Sequence, residues 1–248
     1  MKKLLPTLLV LSVTTSSHAV LTWTGTFPTN AGIAVKFDAL ADLNNYSGDK
    51  TGLTEAFDDN DGINFSRNYF TTNVIFDGVD FGSINANIRV LPGNFLTLVD
   101  SNLTLTNNAG LNTFGGSGAG ATSVNLENST VNVSAIANSL TLLVDGTSSA
   151  TLRGANTPIN ADASVALEPG GTVEFTGNPT NPGASFVSNT AFAGSNGASG
   201  NTEQFSYTGD YPGNFSGNGT ITALAPVPEP GSTLFLLAAT PFLLRRKR

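Results

Sequence analysis

Short runs of alternating apolar and polar residues recur in pairs through the middle of this chain. Leu96-Thr97-Leu98 is followed by Leu103-Thr104-Leu105, and Val124-Asn125-Leu126 by Val131-Asn132-Val133. Leu140-Thr141-Leu142 goes with Ala150-Thr151-Leu152, and Val165-Ala166-Leu167 with Val173-Glu174-Phe175. Alternation with a period of two is the pattern of a strand that buries one face. First members begin at 96, 124, 140 and 165 and second members at 103, 131, 150 and 173, so the pair recurs every 16 to 28 residues. The Gly-rich stretch Gly115–Gly120 falls in the longest gap. Stacked passes of roughly twenty residues, each with two or three short strands, make a β-solenoid of the parallel β-helix kind. A β-sandwich, with strands every 8–12 residues, is the alternative. The expected class is all-β, with the solenoid preferred. Its core should include Leu98, Leu105, Leu126, Val133, Leu142 and Phe175, with Ile75, Ile88 and Val90 extending the stack upstream.

The flanking regions read differently. Leu21-Thr22-Trp23-Thr24-Gly25 alternates and predicts a strand. Ile33, Phe37, Leu40 and Leu43 are spaced for one short helix, suited to covering an open sheet end. Beyond Asn178 the chain becomes turn-rich, though Phe205, Tyr207, Tyr211, Phe215 and Ile221 can supply one or two terminal strands. The organisation expected is a signal segment at 1–19 and a β-rich body at 20–222 with weak repeats at 94–177. A Pro-rich linker at 223–232 then overlaps a terminal segment at 226–248.

The two ends carry the most specific patterns. Met1-Lys2-Lys3 is positive, Leu4–Val13 is apolar, and Ser17 and Ala19 are small residues at −3 and −1 of a cleavage point between Ala19 and Val20. This is the layout of a secretory signal peptide, and the apolar run is too short to span a bilayer. At the other end, Pro226, Pro228 and Pro230 stiffen an extended leader. An apolar stretch follows at Thr233–Leu244, interrupted by Thr240-Pro241, and then Arg245, Arg246, Lys247 and Arg248. The basic end should stay cytoplasmic. Twelve helical residues reach only about 18 Å across a roughly 30 Å hydrocarbon layer, so this is a marginal anchor. Pro228-Glu229-Pro230, a hydrophobic helix and a terminal Arg-rich cluster in that order resemble the PEP-CTERM sorting signal of Gram-negative bacteria. That resemblance implies an exosortase-type processing enzyme as partner, besides the secretion translocon. It also implies a precursor held transiently in the inner membrane, then a place at the cell surface or in the extracellular matrix, with exopolysaccharide as a further partner. In texture the body resembles autotransporter-passenger and adhesin-like β-helices.

Composition narrows the chemistry. The formal net charge is −7, but six of eleven basic residues lie at the extremes. Between Val20 and Val227 five basic residues stand against seventeen acidic ones, a net of −12. Such a surface repels phosphate backbones, so nucleic acid is not an expected partner. There is no cysteine, and the one histidine, His18, lies in the signal segment. The exported chain therefore lacks the base or thiol of a Ser-His-Asp or Cys-His nucleophile and the usual zinc and copper ligands. Asp58-Asp59-Asn60-Asp61-Gly62 is the densest acidic run, yet aligning Gly62 with the EF-hand glycine puts Phe57 at the first ligand position and Asn68 at the last. Asp58, Asp59 and Asp61 remain as a candidate calcium cluster outside that motif, with Asp49 or Glu55 as candidate helpers. No other cofactor is expected. Asp77, Asp80, Asp100, Asp145 and Glu174 are the carboxylates from which a glycosidase or lyase pair would have to come. No catalytic residue is assigned. The functional expectation is an exported structural or adhesive protein without enzymatic activity. The alternative is a carbohydrate-active enzyme or carbohydrate-binding module acting on exopolysaccharide.

Overall fold

The structure, a computed structural model, describes residues 20–58, 68–113, 122–155, 158–159, 163–177, 192–194, 205–209 and 218–224. The chain enters as β1 (Val20–Trp23), passes through α1 (Ile33–Ala41) and a 3-10 turn (Leu43–Asn45), and returns as β2 (Tyr46–Gly48), antiparallel to β1. β3 (Phe57–Asp58) and β4 (Tyr69–Phe70) form a second antiparallel pair. A three-part pass then begins with β5 (Asn73–Asp77), β6 (Asp80–Ile84) and β7 (Ile88–Val90). It repeats as β8 (Phe95–Val99), β9 (Asn102–Leu105) and β10 (Leu111–Thr113), then as β11 (Thr122–Glu127), β12 (Thr130–Val133) and β13 (Ile136–Ala137). Two further passes contribute β14 (Leu140–Val144) with β15 (Ser149–Leu152), and β16 (Ser164–Leu167) with β17 (Thr172–Phe175). β18 (Phe192–Gly194), β19 (Phe205–Gly209) and β20 (Gly219–Ala223) complete the described strands. The expected all-β class holds, and α1 is the expected short helix.

Each part of a pass joins its own sheet. The first sheet has the order β18-β16-β14-β11-β8-β5-β1-β2, the second β19-β20-β17-β15-β12-β9-β6, and the third β13-β10-β7-β4-β3. The ladders joining one pass to the next are parallel. The antiparallel pairs lie at the two ends, β1–β2 and β3–β4 at one and β17–β20 and β19–β20 at the other. In the first sheet Val74, Leu96, Val124, Leu142, Val165 and Phe192 stand in one column. β14 is thus in register at Leu142, two residues beyond the start of its alternating run. A shift of two keeps the same face inward, so pattern alone does not distinguish the registers.

The apolar alternates face a single continuous core. Leu98, Leu105, Leu126, Val133, Leu142 and Phe175 are all buried there, as are Ile88 and Val90. Ile75 is different: Val74 and Phe76 point inward, so Ile75 lies on the outer face, half-buried. Aromatic residues concentrate where α1 closes the N-terminal end. Phe37, Leu40, Phe57, Phe70 and Phe76 are fully buried there, and the ring centroids of Phe57 and Phe70 are 4.9 Å apart. Each such side chain stabilises the cap by roughly 1.5–3 kcal/mol.

The corner between the first and second sheets has its own chemistry. Gly78, Asp100 and Asn128 occupy it with φ of 67°, 48° and 48°. Glycine, aspartate and asparagine tolerate this left-handed conformation best. A buried serine follows in two of these corners. Ser101 Oγ accepts from Val79 N (2.9 Å), Ser129 Oγ from Ser101 N (2.9 Å) and Ser148 Oγ from Ser129 N (2.9 Å). Ser101 Oγ donates to Val99 O (2.7 Å), and Ser129 Oγ donates to Leu98 O or Glu127 O (2.9 Å each). These hydroxyls satisfy backbone groups that the strand ladders cannot reach where the chain turns.

Candidate functional site

Among the described residues, the N-terminal cap brings several polar and aromatic side chains together around one cleft. β2 covers the exposed edge of β1, and β3 covers β4. At the start of the second sheet, β6 is met by side chains instead. Lys36, only 2% exposed on α1, donates from Nζ to Phe81 O (3.2 Å) and Ser83 O (2.8 Å). Thr29 Oγ1 donates to Asp80 O (3.2 Å). Lys36 thereby does at this edge what another strand's N–H groups would do. Its ammonium also lies 5.9 Å from the Phe27 ring centroid. Burial draws the Lys36 pKa below its ordinary value, while the Asp80 charge pulls it the other way.

Beside this anchor, the segment after β1 and the corner between β5 and β6 border an open cleft of about 380 Å³. Thr24, Thr26 and Thr29 supply hydroxyls, Asp77 and Asp80 supply carboxylates, and the largely buried Trp23 and Phe27 reach it by an edge. The segment is held from both sides. Thr24 N and Gly25 N donate to Asn45 O (2.7 and 3.1 Å), and Thr29 is bonded to Asp80 as above. Gly25 is required there, because a Cβ would stand 2.6 Å from Asn45 Oδ1. Gly82, at φ 56°, makes the irregularity in β6 that fits under Thr29. Asp80 Oδ1 accepts from Gly82 N (2.9 Å) and so helps hold that bend. Trp23 is 5% exposed, and its Nε1 has no acceptor among the described residues. Chemically the cleft offers hydrogen-bond acceptors and hydroxyls beside an apolar wall, with no basic side chain in its lining.

The other candidate residues fall as follows. Val20 opens β1, while Ala19 lies outside the described residues. Pro228, Glu229, Pro230, Arg245, Arg246, Lys247 and Arg248 also lie outside them, as does the expected helix at 233–244. Asp58 sits in β3 opposite Tyr69, but Asp59 and Asp61 lie outside. Asp49 is exposed, and hydrogen bonds from Thr51 hold its carboxyl below the usual range. Among the described residues no group of three or more His, Cys, Asp or Glu could hold a metal ion, and no helix is long and apolar enough to cross a membrane. Asp100 and Asp145 converge on Asn128, which donates from Nδ2 to Asp100 and from its backbone N to Asp145 (3.2 Å). Burial works to raise the Asp145 pKa, but hydrogen bonds from Ser148, Thr147 and Asn128 outweigh it and hold the group below its ordinary value. Glu174 stands apart on the outer face of the second sheet, accepting from Thr151 (3.4 Å). Of the five carboxylates considered for chemistry, only Asp77 and Asp80 line the cleft. Sequence reasoning singled out neither Lys36 nor the Trp23–Thr29 wall.

Compared with protein-family models, with curated proteins and with solved structures, the chain has no match.

Proposed function

We propose that this chain is an exported protein of the cell envelope or extracellular matrix, structural or adhesive in role, with a β-solenoid body. One observation carries the reading of the body. On the outer face of the second sheet, Asn102, Thr130, Ser149 and Thr172 stand in one column, and Thr104, Asn132, Thr151 and Glu174 in the next. A polar face repeated in register over a continuous apolar core suits a long-lived surface scaffold more than a catalyst. Parallel ladders also favour the solenoid over a β-sandwich, whose sheets are antiparallel.

Export and sorting rest on the two ends of the sequence. The signal pattern before Val20 would deliver the body across the inner membrane through the translocon. The PEP-CTERM-like tail at 226–248 would hold the precursor there until an exosortase removes it near Pro228-Glu229-Pro230. The short run Thr233–Leu244 supports a temporary anchor, and Arg245–Arg248 would retain its end in the cytoplasm. In a host with the matching enzyme, mass spectrometry of surface protein should find chains lacking Arg245–Arg248, and deleting the enzyme should leave full-length chain in the membrane fraction. An intact tail on mature surface protein would make this an ordinary anchor. The carbohydrate-directed alternative draws its support from the cleft, where Asp77 and Asp80 share a wall.

A further inference from the structure

We propose that the cleft between Trp23–Thr29 and Asp77–Asp80 binds a non-anionic saccharide, neutral or amino, through one or two ring units. This rests on the carbohydrate-directed alternative above and does not depend on the sorting reading. A pyranose ring presents an apolar C–H face and a rim of hydroxyls, so its site needs an apolar wall with several hydrogen-bonding groups around it. Asp77 and Asp80 are acceptors for paired hydroxyls, Thr24 and Thr26 can donate or accept, and the exposed edges of the largely buried Phe27 and Val79 supply a narrow apolar strip. The volume of about 380 Å³ lies within the range of small-molecule sites.

Charge decides the class of sugar. Two carboxylates line the cleft without a basic side chain in the lining, and the Lys36 ammonium, bonded to Phe81 O and Ser83 O, offsets only Asp80. A uronate or phosphorylated sugar would meet a lining that stays net negative, whereas hydroxyls or a protonated amine would be welcomed. The wall is also set before binding, because the Thr24–Thr29 segment is tied to Asn45 on one side and Asp80 on the other. Little ordering entropy remains to be lost. Trp23, with its Nε1 lacking an acceptor among the described residues, completes the lining.

Trp23 is the chain's single tryptophan and borders this cleft, so its fluorescence is the first readout and calorimetry the second. The full chain would be titrated with a panel of neutral hexose, N-acetylhexosamine and glucosamine trisaccharides, with a galacturonate trisaccharide and calcium chloride as controls. The expected result is a saturable change in emission with at least one neutral or amino trisaccharide and none with the uronate. Asp77→Asn combined with Asp80→Asn should weaken that binding at least tenfold. Asn keeps an oxygen for Gly82 N, so the bend should survive, as circular dichroism would check. Thr26→Trp, which fills the cleft, should abolish binding in a second way, read by calorimetry. Thr151→Ala, on the outer face of the second sheet, should leave it unchanged. The proposal is overturned if no neutral or amino sugar binds, if the uronate binds equally, if calcium alone gives the response, or if both cleft variants bind like the parent.

Discussion

Ser129 shows how much of this fold is decided by single polar atoms. Its hydroxyl accepts from Ser101 N and donates to Leu98 O or Glu127 O, while its own N–H reaches Ser148 Oγ, all at 2.9 Å. The side chain is 2% exposed, so water cannot replace these bonds. Ser129→Ala should therefore cost about 1–3 kcal/mol, because Ser101 N–H is left buried without an acceptor. The urea midpoint should fall with an unchanged slope, and an unaltered midpoint would show that the corner finds other partners. The dipeptides Asp100-Ser101 and Asn128-Ser129 are visible in the sequence, but as turn formers only. That serine hydroxyls stack from one pass to the next follows from the register, which local sequence does not encode.

The element that most shapes the N-terminal cap is α1. Its apolar spacing made it legible as a helix, and Phe37 and Leu40 do face the core. Lys36 would ordinarily be assigned to solvent, since lysine is among the residues least often buried. It is buried because β6 ends its sheet among the described residues, and a flexible cationic donor can reach Phe81 O and Ser83 O at that edge. Lys36→Met keeps most of the stem packing and removes both bonds. The expected loss is about 1.5–3 kcal/mol, the scale of hydrogen bonds to a charged group. Native-state hydrogen exchange should show β6 and the β1–β2 pair opening first, with β11 and β14 still protected. Uniform protection across all strands would mean that Lys36 adds nothing to the cap.

For the whole molecule, the proposed export and the fold meet at Val20. That residue pairs with Asn73 at the head of β1, so the proposed cleavage after Ala19 would leave β1 intact. N-terminal sequencing of exported material should begin at Val20. A start at Met1 would end the signal-peptide reading, and a start beyond Trp23 would remove β1 and the cleft with it.

Several properties were determined by the sequence on its own. Runs such as Leu103-Thr104-Leu105 and Val131-Asn132-Val133 dictate strands with one buried face, because a period of two admits nothing else. The lack of cysteine and of any histidine after His18 limits the chemistry of residues 20–248 whatever their fold. Register belongs to the tertiary structure: Val124 aligns with Leu142, although a pairing with Leu140 satisfies the same alternation. The cleft belongs to it as well. Thr29 and Asp80 are 51 positions apart, and their segments carry no shared motif. They meet only because the cap folds back over the first pass of strands. Local pattern is set by which face of each strand must be buried, whereas a site made of distant segments exists only once the stack has fixed which pass lies beside which.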